Sequence, residues 1–166
     1  MASQVESLVK RVYQKQELIH QVEVHPLTVH VDERGYLMEV LWRYDPFFTQ
    51  FGYLYVAGDN VRGVVRAFHK HQEMWEWFYC SQGSARYVLI DSRPDSPTHE
   101  KMNSITIGQR NPCVLVVPPG VFHGWVSLED NTQIIAVGSE PYNPVALDEV
   151  RVAADSFGVN WEVESR

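Results

Sequence analysis

The sequence predicts an all-β protein, a barrel or sandwich with a short N-terminal helix and an irregular C-terminal tail. Three observations carry this expectation. From residue 21 to about 138 the chain is a succession of short apolar or alternating segments rich in Val, Ile, Tyr, Phe and Trp, the composition of half-buried strands. Gly, Asp, Asn and Pro separate these segments at intervals of roughly 8 to 15 residues, the rhythm of a sandwich or barrel. Only the start of the chain carries a helical pattern. Ser3 and Glu6 form an S-x-x-E capping box, and Val5, Leu8, Val9 and Val12 recur at helical spacing.

Taken in order, the helix is expected over residues 1–20. Strand segments follow at 22–31, 35–44, 51–58, 63–71, 74–81, 85–91, 104–108, 113–119, 123–128 and 133–139. The tail after residue 140 is Pro-rich and acidic, with little periodicity before the GVNWEV stretch at 158–163. No internal repeat, low-complexity tract or linker divides the chain, so residues 21–166 are expected to form a single domain.

A chain of 166 residues is long enough for a substantial core. Its 45% hydrophobic and 21% charged residues are an ordinary soluble balance. The formal net charge of −7 argues against a nucleic-acid surface, and a few local arginines still suffice for an anionic small-molecule substrate. No signal-peptide core or membrane-length apolar stretch is present, so no membrane partner is expected. Cys80 and Cys113 are too few for a disulfide framework and lie in strand-like runs. Buried free thiols and a cytoplasmic location are the expectation.

The run from Gly63 to Gly83 and the PPGVFH stretch at 118–123 carry the chemistry. His69 and His71 are two apart, so on a strand both leave the same face. Glu76 lies a short turn further on, where it can return on the neighbouring strand. His123 follows a Pro-Pro-Gly turn that starts another inward-facing strand. Three imidazoles and one carboxylate suit Fe, Mn, Ni, Co, Cu or Zn, and ligand type alone does not choose among them. A divalent transition metal held by His69, His71, Glu76 and His123 is therefore expected. These residues also resemble the two-part cupin signature. Gly63, His69, His71, Glu76 and Gly83 meet every fixed position of its first part, and Pro118, Gly120 and His123 those of its second. Pro112 stands where the signature's outlying glycine is usual and Ser127 where its asparagine is usual.

A second likeness runs along residues 25 to 161. It is carried by DERGYLME at 32–39, FTQ at 48–50, GVVRAFH at 63–69 and VLIDSRPDSPT at 88–98. PPGVFHGW at 118–125, EPYNPVALDE at 140–149 and DSFGVNW at 155–161 complete it. In their order and spacing these motifs resemble the dTDP-4-dehydrorhamnose 3,5-epimerase family, which is built on a cupin jelly roll. The resemblance implies a jelly-roll barrel, isomerase chemistry on a dTDP-4-keto-6-deoxyhexose-like nucleotide sugar, and a homodimer. It implies a His69–Asp155 pair removing protons beside the 4-keto group, Arg34 binding the nucleotide phosphates, and Arg66 and His123 near the substrate.

Three positions depart from the family pattern. Glu76 stands in place of a cavity lysine, Ala136 in place of the tyrosine that returns the proton to the other ring face, and Ala67 in place of a glycine. Tyr142 matches another aromatic family position and is the candidate substitute. A divalent metal would restore at Glu76 the positive charge that the lysine supplied, by polarising a carbonyl. His69 as a metal ligand is then no longer a free base, which leaves Tyr142, Tyr79 or a metal-bound hydroxide. The alternatives are a non-haem iron dioxygenase, a metal-dependent isomerase or lyase, and a sugar-binding cupin that has lost catalysis.

Overall fold

The computed structural model describes residues 17–163, and among these every regular element is a strand. In chain order they are β1 (Glu23–Pro26), β2 (His30–Asp32), β3 (Gly35–Leu37), β4 (Tyr53–Asp59), β5 (Val65–His71) and β6 (Glu76–Gln82). Then come β7 (Ser84–Asp91), β8 (Met102–Gly108), β9 (Cys113–Val117), β10 (Val121–Ser127), β11 (Thr132–Gly138) and β12 (Glu149–Arg151). Two five-stranded sheets have the orders β1-β9-β6-β11-β4 and β12-β5-β10-β7-β8, while β2 and β3 form a separate hairpin. Every strand pair is antiparallel. Sequence neighbours such as β5 and β6 sit in opposite sheets, the crossing that makes a jelly roll.

Alternation along each strand decides what fills the space between the sheets. Phe78, Cys80, Tyr87, Leu89, Ile107, Cys113, Leu115, Trp125 and Ile134 turn inward and form the main core. The outward residues of the two sheets are covered separately. Phe47, Phe48, Val40 and Leu41 pack over Trp77, Val114, Val116 and Val137 on one sheet. On the other, the tail residues Phe157, Val159 and Trp161 pack over Phe68, Val88, Ile90 and Phe122.

Two expectations change here. The strand expected over 35–44 ends at Leu37, because Asp45 closes a turn by accepting from the Trp42 backbone N–H at 2.7 Å and the apolar residues beyond serve as a sheet cover. The expected helix over 1–20 lies outside the described residues up to residue 16. Residues 17–20 are not helical, and Ile19 and Val22 already pack into the barrel core.

The S-P-T segment has a clear physical role. Asp91, fully buried, accepts hydrogen bonds from Arg93 Nε at 2.8 Å, Ser96 Oγ at 2.6 Å and Thr98 Oγ1 at 2.6 Å. Burial alone would push its carboxyl up, but these donors outweigh burial and hold it below the ordinary carboxylate range. Cys80 and Cys113 are free and buried, and burial pushes their thiols up to about 12 and about 11.

Candidate active site

One end of the barrel is open. A cavity of about 910 Å³ enters between β4, β5 and the 140–152 segment, with His69, His71, Tyr53, Tyr55 and Arg66 in its wall. Its position follows from two local features. His69 and His71 share the inward face of β5 while Phe68 and Lys70 face outward, Phe68 beneath the tail and Lys70 over the Phe122 ring at 4.6 Å. Against β10, His69 pairs with His123 and Arg66 with Trp125, so three residues of β5 span two of β10. This bulge at Ala67–Phe68 places Arg66 on the same inner side as His69. Arg66 Nε donates to the buried Asp59 at 2.6 Å, and Trp125 Nε1 donates to the other oxygen of Asp59 at 3.2 Å.

Glu76 arrives from the opposite sheet, since β6 pairs with β9 and β11 rather than with β5. The expected return on a strand beside β5 is thus corrected, yet Glu76 lies near each of the three histidines. The group with ligand atoms mutually within reach of one ion is His69, His71 and Glu76. Glu76 Oε2 lies 2.9 Å from His123 Nε2, 3.5 Å from His71 Nε2 and 3.8 Å from His69 Nε2. The His69 and His123 rings are 4.1 Å apart. Glu76 and His123 are each about 1% exposed, and neither Oε2 nor Nε2 has a hydrogen-bond partner among the described residues.

The tautomer sharpens this. His123 Nδ1 faces the Val121 carbonyl oxygen at 3.1 Å and must donate to it. With Nδ1–H committed to Val121, the Nε2 atom 2.9 Å from Glu76 Oε2 either carries a proton shared with that carboxylate or offers its lone pair to a cation. Metal–ligand bonds of about 2.1 Å set ligand atoms about 3.0 to 3.4 Å apart. The 2.9 Å and 3.5 Å separations from Glu76 to His123 and His71 lie at the edges of that range, and the 3.8 Å separation to His69 lies outside it. His69, His71 and Glu76 present ligand atoms within 4.8 Å of one another.

Burial, and next the His123 charge, lower His69 to about 3, so its imidazole is neutral and able to ligate. At Glu76 burial pushes up, but His123, His71 and His69 outweigh it and hold the carboxyl at about 2.

The other expected residues separate. Asp155 sits exposed on the Ala153–Gly158 turns, with no hydrogen bond or ion pair to His69 among the described residues. The reason is geometric: the tail packs on the Phe68 face of β5, whereas His69 leaves from the opposite face. The expected His69–Asp155 pair is therefore corrected. Tyr142 stands exposed at the cavity mouth, its ring 6.4 Å from Tyr53. Tyr79 faces outward beside Tyr36 and Met38, away from the cavity. Arg34 lies on the exposed hairpin, paired with Asp32 at 2.5 Å, and does not line the cavity.

Sequence reasoning missed Tyr55, whose hydroxyl donates to Glu76 Oε1 at 3.2 Å. Burial and next the Glu76 charge push its phenol far above the ordinary range, so it keeps its proton. Asp148, expected in a solvated turn, instead accepts from the backbone N–H groups of Gln72, Glu73 and Met74 and lies 3.7 Å from His71 Nδ1.

A jelly roll whose open end gathers ionisable groups around a sugar-sized cavity belongs with the cupin-fold isomerases of nucleotide sugars. The chain is a member of the dTDP-4-dehydrorhamnose 3,5-epimerase family, whose sequence model matches residues 16–166. It is thus an isomerase, a sugar-nucleotide epimerase of that type. It is 34% identical to the spore coat polysaccharide biosynthesis protein SpsL of Bacillus subtilis over 152 residues, covering 90% of this chain and 100% of that one. To the probable low-salt glycan biosynthesis epimerase Agl13 of Haloferax volcanii it is 31% identical, covering 88% and 96%. Among solved structures it resembles a dTDP sugar isomerase from Desulfovibrio desulfuricans, with a TM-score of 0.79, 25% identity and coverage of 88% and 95%. The Mycobacterium tuberculosis rmlC epimerase gives a TM-score of 0.77 at 26% identity, with coverage of 88% and 77%.

Proposed function

We propose that this epimerase acts on a dTDP-4-keto-6-deoxyhexose-like substrate with the help of a divalent transition metal held by His69, His71, Glu76 and His123. The observation that carries the reading is Glu76 Oε2, buried among three imidazoles without a hydrogen-bond partner. A metal there would polarise the substrate carbonyl and stabilise the negative charge left when the neighbouring C–H bond breaks.

The chain's own residues supply the rest. Arg66, braced by Asp59 and the Gly58 carbonyl, is half exposed in the cavity wall, where a guanidinium suits diphosphate oxygens. With His69 committed to the ligand set, Tyr142 at the mouth is the phenol that carries the proton, and Asp155 has no part. The hairpin residues Val31, Tyr36 and Leu37, all more than 60% exposed, and Trp42 at 60% offer the apolar face for the homodimer. The two buried thiols suit a cytoplasmic location.

The test is elemental analysis of the purified protein beside His71→Ala, with solvent deuterium incorporation into dTDP-4-keto-6-deoxyglucose as the activity readout. Near-stoichiometric metal and exchange in the parent, both lost in the variant, is the expected result. Exchange without metal, after attempted loading with Fe, Mn, Ni and Zn, would overturn the metal and leave the epimerase. Oxygen consumption in place of exchange would identify a dioxygenase.

A further inference from the structure

The two oxygens of Glu76 have different partners. Oε2 faces the three imidazoles, whereas Oε1 accepts the hydroxyl of Tyr55 at 3.2 Å. Tyr55 belongs to β4, and β11 lies between β4 and β6 in the sheet, so the tyrosine reaches Glu76 only by passing over β11. The inward residues of β11 on that path are Ala136, directly opposite Tyr55, and Gly138, directly opposite both Tyr53 and Glu76.

Both residues are small where space is needed. A methyl at Gly138 would sit 2.5 Å from Met74 Sδ and 2.7 Å from Tyr53 Cε1. Ala136 is fully buried, and a larger side chain there would enter the space over which Tyr55 extends. Tyr53 and Tyr55 stack with centroids 5.6 Å apart at 21°, which holds the second ring over this trough.

We infer that Tyr55 is a positioning residue for the metal-ligand set, one that ties down Glu76 Oε1 so that Oε2 faces the three histidines. A ligating carboxylate free to rotate would present its oxygens in several orientations, and outer hydrogen bonds of this kind commonly govern affinity by ten- to a hundredfold. Ala136 and Gly138 are the residues that make the reach possible. The inference rests on the metal reading of the Glu76 cluster.

The experiment is titration of the metal-stripped protein with Co2+, reading both affinity by chelator competition and the visible absorption of the bound ion. Tyr55→Phe keeps the ring and removes only the oxygen. Its affinity is expected to fall at least about tenfold, with a changed absorption band that reports altered ligand geometry. Ala136→Leu, which touches no ligand, is expected to do the same by displacing the tyrosine. If the parent binds Co2+ and both variants bind within about twofold of it with the same band, the inference is overturned while the metal reading stands. A parent that takes up no Co2+ sinks both.

Discussion

Glu76 and His123 approach each other from opposite sheets, Oε2 to Nε2 at 2.9 Å, without forming a hydrogen bond. The contact is held from both sides, by Tyr55 on Glu76 Oε1 and by the Val121 carbonyl on His123 Nδ1. Neither group can turn away to satisfy itself. A buried charge kept in this state is a cost to folding unless binding recovers it.

Glu76→Gln removes the charge and keeps the shape. Metal content is expected to drop at least about tenfold at equal metal supply, since a ligating carboxylate is lost. Exchange at the sugar carbon should slow by about a hundredfold, equivalent to about 2.7 kcal/mol of lost charge stabilisation. Initial rates and elemental analysis of matched preparations check this. Parent-like rates in the variant would remove Glu76 from the chemistry.

Asp91 supports stability through its own set of donors, Arg93, Ser96 and Thr98. Asp91→Ala strands Arg93 and two hydroxyls and is expected to cost about 3 kcal/mol at neutral pH. Because the folded-state carboxyl is depressed, the unfolded chain binds the proton more readily. The stabilisation is therefore complete above the ordinary carboxyl range and fades as pH falls through the depressed folded value. Urea unfolding of parent and variant at pH 7 and pH 3 reads this directly: the gap between them should narrow in acid. A gap that widens would contradict the assignment.

How much of this was legible beforehand depended on sequence distance. His69 and His71 could be read from their spacing because a strand fixes the face of residues two apart, and His123 because a Pro-Pro-Gly turn sets its strand. The sheet that delivers Glu76 could not be read, since nothing local tells whether a turn returns to a neighbour or crosses the barrel. Asp155 was misplaced for a related reason: the tail's apolar residues chose the Phe68 side of β5, a choice made by packing among distant elements. Tyr55 gave no signal, as Y-L-Y-V-A reads as any half-buried strand and its partner is 21 residues away. Residues 38–44 looked like a strand because covering a sheet's outer face requires the same apolar residues as joining it.

Gly124 tests whether the bulge that aims Arg66 and His69 is needed. A methyl there would run into Ala67 Cβ and sit 2.7 Å from the Arg66 carbonyl oxygen, so β5 itself would have to move. Gly124→Ala is expected to cost about 1–3 kcal/mol by overpacking. Metal affinity and exchange rate should fall with it, because the displaced residues flank His69. Gly58→Ala is the matched control: the added carbon meets nothing within 4 Å, and stability should stay within about 0.5 kcal/mol of the parent. Urea unfolding and Co2+ titration of the two variants side by side separate the outcomes. Equal, parent-like behaviour of both would mean that the close approach of β10 to β5 at Ala67 is not what positions the site.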